Sequence, residues 1–282
     1  MERISTIQEW RQKQRALQGK TIGFVPTMGY LHEGHLSLIE KARAEADIVV
    51  LSIFVNPLQF GANEDFSTYP RDLERDAQIA KQGGVDYLFN PSVQEMYPEE
   101  IKTIVSVKGV TEIMCGSSRP GHFDGVATVV MKLFQIIQPN YAYFGLKDAQ
   151  QIAVIQQMVS DLNLPIVLRP CPIVRESDGL ALSSRNVYLS SEERQEATIL
   201  YKTLQWAADC ITQGERNPKE LIQGMKTRLE AIPVATVDYI EIRSFPGLLE
   251  PEEIYGQVIL ALAVRIGRTR LIDNLILNVS KG

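Results

Sequence analysis

The chain has 282 residues, 45% apolar and 22% charged, the balance of a globular protein with a full core and room for two domains or one large α/β domain. Its 29 basic and 34 acidic residues leave a formal charge of −5, which gives no general attraction for nucleic acid or an anionic membrane. Cys115, Cys171 and Cys210 lie too far apart to suggest a metal or redox pair, and three thiols cannot all pair within one chain. Met1–Gln14 is polar and charged, without the apolar core of a signal peptide, and the longest apolar run, Ile48–Val55, is too short to span a bilayer. The expectation is a soluble cytoplasmic protein with no nucleic-acid and no membrane partner.

In chain order, Thr21–Val25 reads as a strand that runs into a turn at Pro26 and Gly29. Two of the three histidines follow, His32 and His35, where a helix should begin. A helix start offers free N–H groups and a positive dipole end, so anions bind there readily. Gly29 and Gly34 would let a phosphate approach the backbone closely, and imidazoles beside it can stabilise a departing phosphate. Plain packing is the competing reading of this pair. Zinc on His32, His35 and His122 is another, weakened by a spacing of three rather than four and by the lack of a flanking cysteine.

Leu36–Ala46 is the first amphipathic helix, followed by the nearly continuous apolar strand Ile48–Val55. The loop behind it, Asn56-Pro57-Leu58-Gln59-Phe60, offers neutral amides suited to a small polar substrate, although an Asn-Pro pair is also a common turn. Leu73–Gln82 reads as a helix; Asp72 and Asp76 on it are candidates to face magnesium or to be merely solvated. Strands are expected at Tyr87–Phe89, Ile104–Val107, Tyr141–Phe144 and Ile166–Leu168, with helices at Gly125–Gln138 and Ala149–Leu162. His122, before the first of these helices, suits a helix-start role better than a substrate contact. Gly145-Leu146-Lys147-Asp148 follows a strand and opens a helix, so Lys147 can meet a phosphate and Asp148 can cap.

Past Pro172 the pattern changes. Asp178–Leu182 and Ser183-Ser184-Arg185-Asn186 suit a mobile clamp on a triphosphate, or a surface loop. Ser190–Thr212 reads as one long helix opened by a capping-box-like start, and Pro218–Ala231 as a second. Strands at Val237–Ile242, Gln257–Val264 and Thr269–Leu275 follow. The fold class is therefore α/β: a Rossmann-like parallel sheet with helices on both faces over residues 1–175, plus a smaller C-terminal α+β domain over 176–282.

Taken as an ordered set, these segments resemble the pantoate–β-alanine ligases. The matches run from Pro26-Thr27-Met28-Gly29 through His32-Glu33-Gly34-His35, Phe54–Phe60, Tyr69-Pro70-Arg71, Arg119–Phe123, Phe144–Asp148 with Gln151, to Ser183–Asn186. His32–His35 corresponds to the HxGH signature of the nucleotidyltransferase superfamily, and the serine-arginine loop to the KMSKS loop of class I aminoacyl-tRNA synthetases. The family usually has methionine where this chain has Leu182, a residue of similar volume that would pack on adenine in the same way.

The resemblance implies condensation of (R)-pantoate with β-alanine through a pantoyl adenylate, with ATP as substrate, Mg²⁺ as cofactor, and AMP and diphosphate released. It implies that His35, His32 and Lys147 are catalytic, and that ATP lies against Met28, Gly29, Tyr30, Leu31, His32, Glu33, Gly34 and His35. Gly145, Leu146, Lys147, Asp148, Val174, Leu182, Ser183, Ser184 and Arg185 would complete the nucleotide site. Gln59 and Gln151 would bind pantoate, and Gln59 would also border β-alanine. No metal-ligating residue is assigned, since magnesium would ride on phosphate oxygens. A homodimer through the larger domain is expected. The rival readings are a nucleotidyltransferase that keeps the nucleotide on its product, and a non-enzymatic nucleotide sensor.

Overall fold

The computed structural model describes residues 1–61 and 64–281; Ala62, Asn63 and Gly282 lie outside the described residues. The chain opens with β1 (Glu2–Ile4) and α1 (Ile7–Arg15), then β2 (Ile22–Thr27), α2 (Glu33–Glu45), β3 (Ile48–Ile53), α3 (Leu73–Gln82), β4 (Tyr87–Phe89) and the short α4 (Val93–Met96) and α5 (Cys115–Ser118). The long α6 (His122–Ile137), β5 (Tyr141–Gly145), α7 (Ala149–Asp161) and β6 (Val167–Cys171) complete a six-stranded parallel sheet in the order β1-β4-β3-β2-β5-β6.

Alternation along each strand explains why helices cover both faces. Phe24, Val50 and Phe89 point into one apolar cluster with α6 and α7, while their neighbours Val25, Leu51 and Leu88 point into another with α2 and α3. Strands buried on both sides are nearly continuous in apolar residues, as β2 and β3 are apart from Thr27 and Ser52. From β2 the chain steps outward to β3 and β4, then returns to place β5 on the other side of β2. A crevice forms beyond the carboxyl ends of strands where the order reverses in this way.

The second sheet is antiparallel, β7 (Ala235–Ser244), β8 (Gly256–Ile266) and β9 (Thr269–Val279), preceded by α8 (Ser191–Glu196), α9 (Ile199–Thr212) and α10 (Pro218–Glu230). Val258, Leu260 and Leu262 of β8 pack with α9 and α10. Ile259 and Ala261 turn the other way, onto Met114 and onto Ala149 and Ala153 of α7. The central strand is thus buried on both faces and joins the two halves of the molecule. Each larger cluster contains one of the two tryptophans: Trp10 is fully enclosed and donates Nε1–H to the Ile136 carbonyl at 2.9 Å, whereas Trp206 is half-buried under the Arg228 guanidinium. No helix among the described residues is long and apolar enough to cross a membrane.

Two of the expected elements need correction here. Ile104–Val107 is not a strand: the Val105 N–H donates to the Thr128 hydroxyl on α6 at 2.9 Å, so this apolar segment docks on a helix instead of pairing with a strand. The helix expected from Ser190 to Thr212 is broken between α8 and α9, where the Thr198 hydroxyl donates to the Gln195 carbonyl at 2.8 Å and backbone bonds shift to the tighter three-residue step. The elements β1 and α1 were not expected. A three-residue strand and a helix with Trp10 as its sole buried residue give almost no periodic signal, although Thr6 and Glu9 form a full capping box.

Candidate active site

A cavity of about 240 Å³ opens beyond β2 and β5, on the two sides of the strand-order reversal. Met28, His32, Gly34 and His35 reach it from the segment after β2; Gly145, Lys147, Asp148 and Gln151 reach it from the segment after β5. Gln59 enters from the turn after β3, and Val174, Leu182, Ser183, Ser184 and Arg185 close the remaining side. Gly29, Tyr30, Leu31, Glu33 and Leu146, which the resemblance also placed against ATP, do not line it. Leu31 is fully enclosed, Glu33 is exposed and Leu146 packs against the core.

For Tyr30 and Leu31 the reason lies in a buried carboxylate. Gly29 and Tyr30 both adopt positive φ, 86° and 52°, which turns successive N–H groups to one side. Asp76 of α3, 1% exposed, fills that concavity: its two oxygens accept from the Tyr30 and Leu31 N–H groups, each at 2.7 Å. The nest that looked available to phosphate therefore holds the protein's own anion. Asp76 is a support for the histidine segment and is not free to hold magnesium. Asp72 is also committed, capping α3 through the Arg75 N–H at 3.1 Å.

His32 is the N-cap of α2. Its Nδ1 accepts from the Gly34 N–H at 3.1 Å, and the His32 N–H in turn donates to Nδ1 of His35 at 3.2 Å. Both Nδ1 atoms are thereby acceptors, so each neutral ring carries its proton on Nε2. Neither Nε2 bonds to another described residue, and the rings lie tilted with centroids 4.1 Å apart. A side chain at Gly34 would meet the His32 ring at 2.9 Å, so only glycine fits between the two histidines. Burial, Lys147 and Arg75 push His32 down to about 4; burial, His32 and Lys147 hold His35 well below the usual imidazole range. At neutral pH the site presents two uncharged hydrogen-bond donors.

This has a stability consequence. Below pH 6.5 the unfolded chain protonates His32 while the native chain does not until about pH 4, so stability falls as the pH drops through that window. Asparagine at position 32 can cap α2 without titrating. Urea unfolding at pH 7.5 and 4.5 should show the parent losing on the order of 2 kcal/mol more than His32→Asn. Equal losses would show that the native imidazole protonates freely.

Gln59 is held by its neighbours. Asn56 caps the turn through the Leu58 N–H at 3.3 Å and donates to the Gln59 Oε1 at 3.1 Å, while the Gln59 Nε2 lies 3.4 Å from the Met28 sulfur. The Gly125 backbone of α6 approaches so closely that a Cβ there would lie 2.3 Å from the Leu58 carbonyl oxygen. Sequence reasoning placed Arg119 in a family motif without a role and favoured a helix start over a substrate contact for His122. His122 does start α6, yet both residues also line the cavity. The His122 ring bridges the Gln59 carbonyl, 2.8 Å from Nδ1, and the Arg119 guanidinium, 3.0 Å from Nε2, and burial holds it down at about 4. With both nitrogens so engaged, His122 does not join His32 and His35, and no cluster of three potential metal ligands occurs among the described residues. The serine-arginine loop is clasped shut: Ser184 Oγ lies 3.1 Å from the Tyr69 hydroxyl, and Arg185 pairs with both oxygens of Asp65 at 3.0 and 3.1 Å. Asp148 makes no capping hydrogen bond and is the single carboxylate lining the cavity among the described residues.

The family model for pantoate-beta-alanine ligase matches residues 1–276 of this chain. The pantothenate synthetase of Caldicellulosiruptor saccharolyticus is 59% identical over 93% of both chains, and that of Geobacillus sp. 56% identical over 98% of both. The pantothenate synthetase structure from Thermus thermophilus superposes with a TM-score of 0.93 at 49% identity, covering 98% of this chain and 99% of that one. The pantoate-beta-alanine ligase of Francisella tularensis, complexed with beta-gamma ATP and β-alanine, gives a TM-score of 0.80 at 38% identity over 98% and 97% of the two chains.

Proposed function

This chain belongs to the family of pantoate–β-alanine ligases, enzymes of pantothenate biosynthesis that condense pantoate with β-alanine at the expense of ATP, and we propose that it does so through a pantoyl adenylate formed between His32, His35 and Lys147. A carboxylate is a poor electrophile, so the acid must first acquire a leaving group. A pantoate carboxylate oxygen attacks the α-phosphorus of ATP, and the bond to the bridging oxygen of diphosphate breaks. The neutral amine of β-alanine then forms a bond to the acyl carbon as the bond to AMP breaks, and the nitrogen gives up one proton to solvent.

The observation that carries this reading is the pair of free Nε2–H groups lining one cavity with Lys147, Gln59 and Gln151. Neutral imidazoles donate hydrogen bonds to the phosphate oxygens as negative charge moves onto diphosphate, and Lys147 adds a positive charge. Met28, Gly145, Val174, Leu182, Ser183, Ser184 and Arg185 frame the nucleotide, with Leu182 against the base. Gln59 and Gln151 hold the pantoate hydroxyls, and Gln59 borders β-alanine. Gln151 lines the cavity and makes no side-chain hydrogen bond to another described residue, which supports a role facing substrate. Magnesium fits this site as a companion of the triphosphate, since the cavity offers one carboxylate, Asp148; the ion supplies charge neutralisation on phosphate oxygens. We assign residues 1–175 to nucleotide and pantoate binding and 176–282 to a lid, and place the enzyme in the cytoplasm as a homodimer through the larger unit.

The test is ATP–pyrophosphate exchange. Exchange should depend on pantoate and proceed without β-alanine, and the complete mixture should release AMP. A nucleotide retained on the product, or exchange that needs β-alanine, would remove the adenylate route.

A further inference from the structure

The chemistry proposed above gives the second sheet no part in the phosphate site, yet two adjacent residues of β9 bond to the segments that frame it. Asn274, 4% exposed, donates from Nδ2 to the carbonyls of both Leu146 and Lys147, at 2.9 and 3.0 Å. These are the residues that turn the chain from β5 into α7 and set the position of the lysine. One residue earlier, Asp273 binds both arms of Arg175, at 2.6 and 2.8 Å, and its Oδ1 also accepts the Asn274 N–H at 2.8 Å. Arg175 pairs with Ala181 in an isolated bridge and donates to the Gly179 carbonyl at 3.0 Å, and the Leu182 N–H bonds the Val174 carbonyl at 3.0 Å. The hairpin that delivers Leu182, Ser183 and Arg185 therefore rests on the same strand as the Lys147 turn.

We propose that Asp273-Asn274 is a positioning dipeptide that holds the two phosphate-facing segments, 145–148 and 182–185, in a fixed mutual register. Two carbonyls that share one amide donor cannot move independently of it. The turn has no other side chain supporting those carbonyls among the described residues. The small sheet is then part of the wall that places Lys147, and not only a cover over it.

The inference rests on the phosphate role given to Lys147 above, and its test separates the two. Asn274→Leu keeps the branching pattern and suits a buried position, although it is larger, and it donates nothing. Calorimetry should show ATP binding weakened about 10-fold, with pantoate affinity within 2-fold of the parent because Gln59 and Gln151 are untouched. A general loss of structure would weaken both ligands together and would overturn the proposal, as would ATP affinity within 2-fold of the parent. Asp273→Asn, which keeps the shape and removes the charge opposite Arg175, should also weaken ATP and spare pantoate, and decides the question if Asn274→Leu does not fold. Weakened ATP binding in a protein whose parent shows no pantoate-dependent exchange would leave the dipeptide's role standing and sink the adenylate route alone.

Discussion

Replacing His35 by alanine should slow pantoate-dependent ATP–pyrophosphate exchange by roughly 10²–10⁴-fold while the protein stays folded. The ring contributes little to packing, since it faces a cavity, and its only hydrogen bond among the described residues is the one Nδ1 accepts from the His32 N–H. What is lost is an Nε2–H donor aimed at the site of charge development, in a position where water is largely excluded. The loss should appear in kcat for adenylate formation more than in the KM for ATP, because the donor strengthens as charge moves onto diphosphate. Near-normal exchange, with unchanged circular dichroism, would show that the imidazole is a bystander. Since burial keeps the ring neutral, the rate should not depend on an imidazolium, and no acid limb near pH 6.5 should belong to it.

The second large effect concerns stability. Asp273→Ala should cost about 3–5 kcal/mol in urea unfolding, the range found when one partner of a buried ion pair is removed. The pair is nearly closed to solvent, 2% exposed on the aspartate and 14% on the arginine side chain. Burial holds the Asp273 carboxyl above the usual carboxylate range, and Arg175 offsets only part of that. Without the carboxylate, Arg175 keeps the Gly179 and Asn274 carbonyls and the face of Tyr201, but its charge has no counter-ion. A double change that removes both charges, Arg175→Met with Asp273→Leu, should recover much of the loss. A cost under about 1 kcal/mol for the single change would mean that water reaches the guanidinium.

The parallel sheet was legible because its strands are short apolar runs separated by 3.6-period helices, and Tyr87–Phe89 and Leu73–Gln82 coincide with β4 and α3. The ends of strands were less legible. β2 continues through Pro26 to Thr27, which a turn reading of Pro26 had cut off; the pairing with Ser52 and Ile53 on β3 overrides the local signal. The geometry of the candidate site was legible where it is local, as in the histidine pair, whose spacing and intervening glycine follow from one helix cap. It was not legible where it depends on contacts far apart in sequence. Asp76 meets Tyr30 and Leu31 across 46 and 45 positions, and Asn274 meets Leu146 and Lys147 across 128 and 127. Arg119 was visible as part of a motif, but its union with Glu64 and His122 required the fold. An aspartate on a polar-looking helix gives no sign that it will be buried, since periodicity records only apolar residues.

The placement of the two indoles has a practical side. Trp10 sits in a dry interior and should emit at short wavelength, while Trp206, half-buried beside a guanidinium, should emit further to the red. Intrinsic fluorescence therefore carries a separate optical signature for each sheet. Single-tryptophan versions of the chain can report whether melting begins on one side of β8 or proceeds through both halves at once.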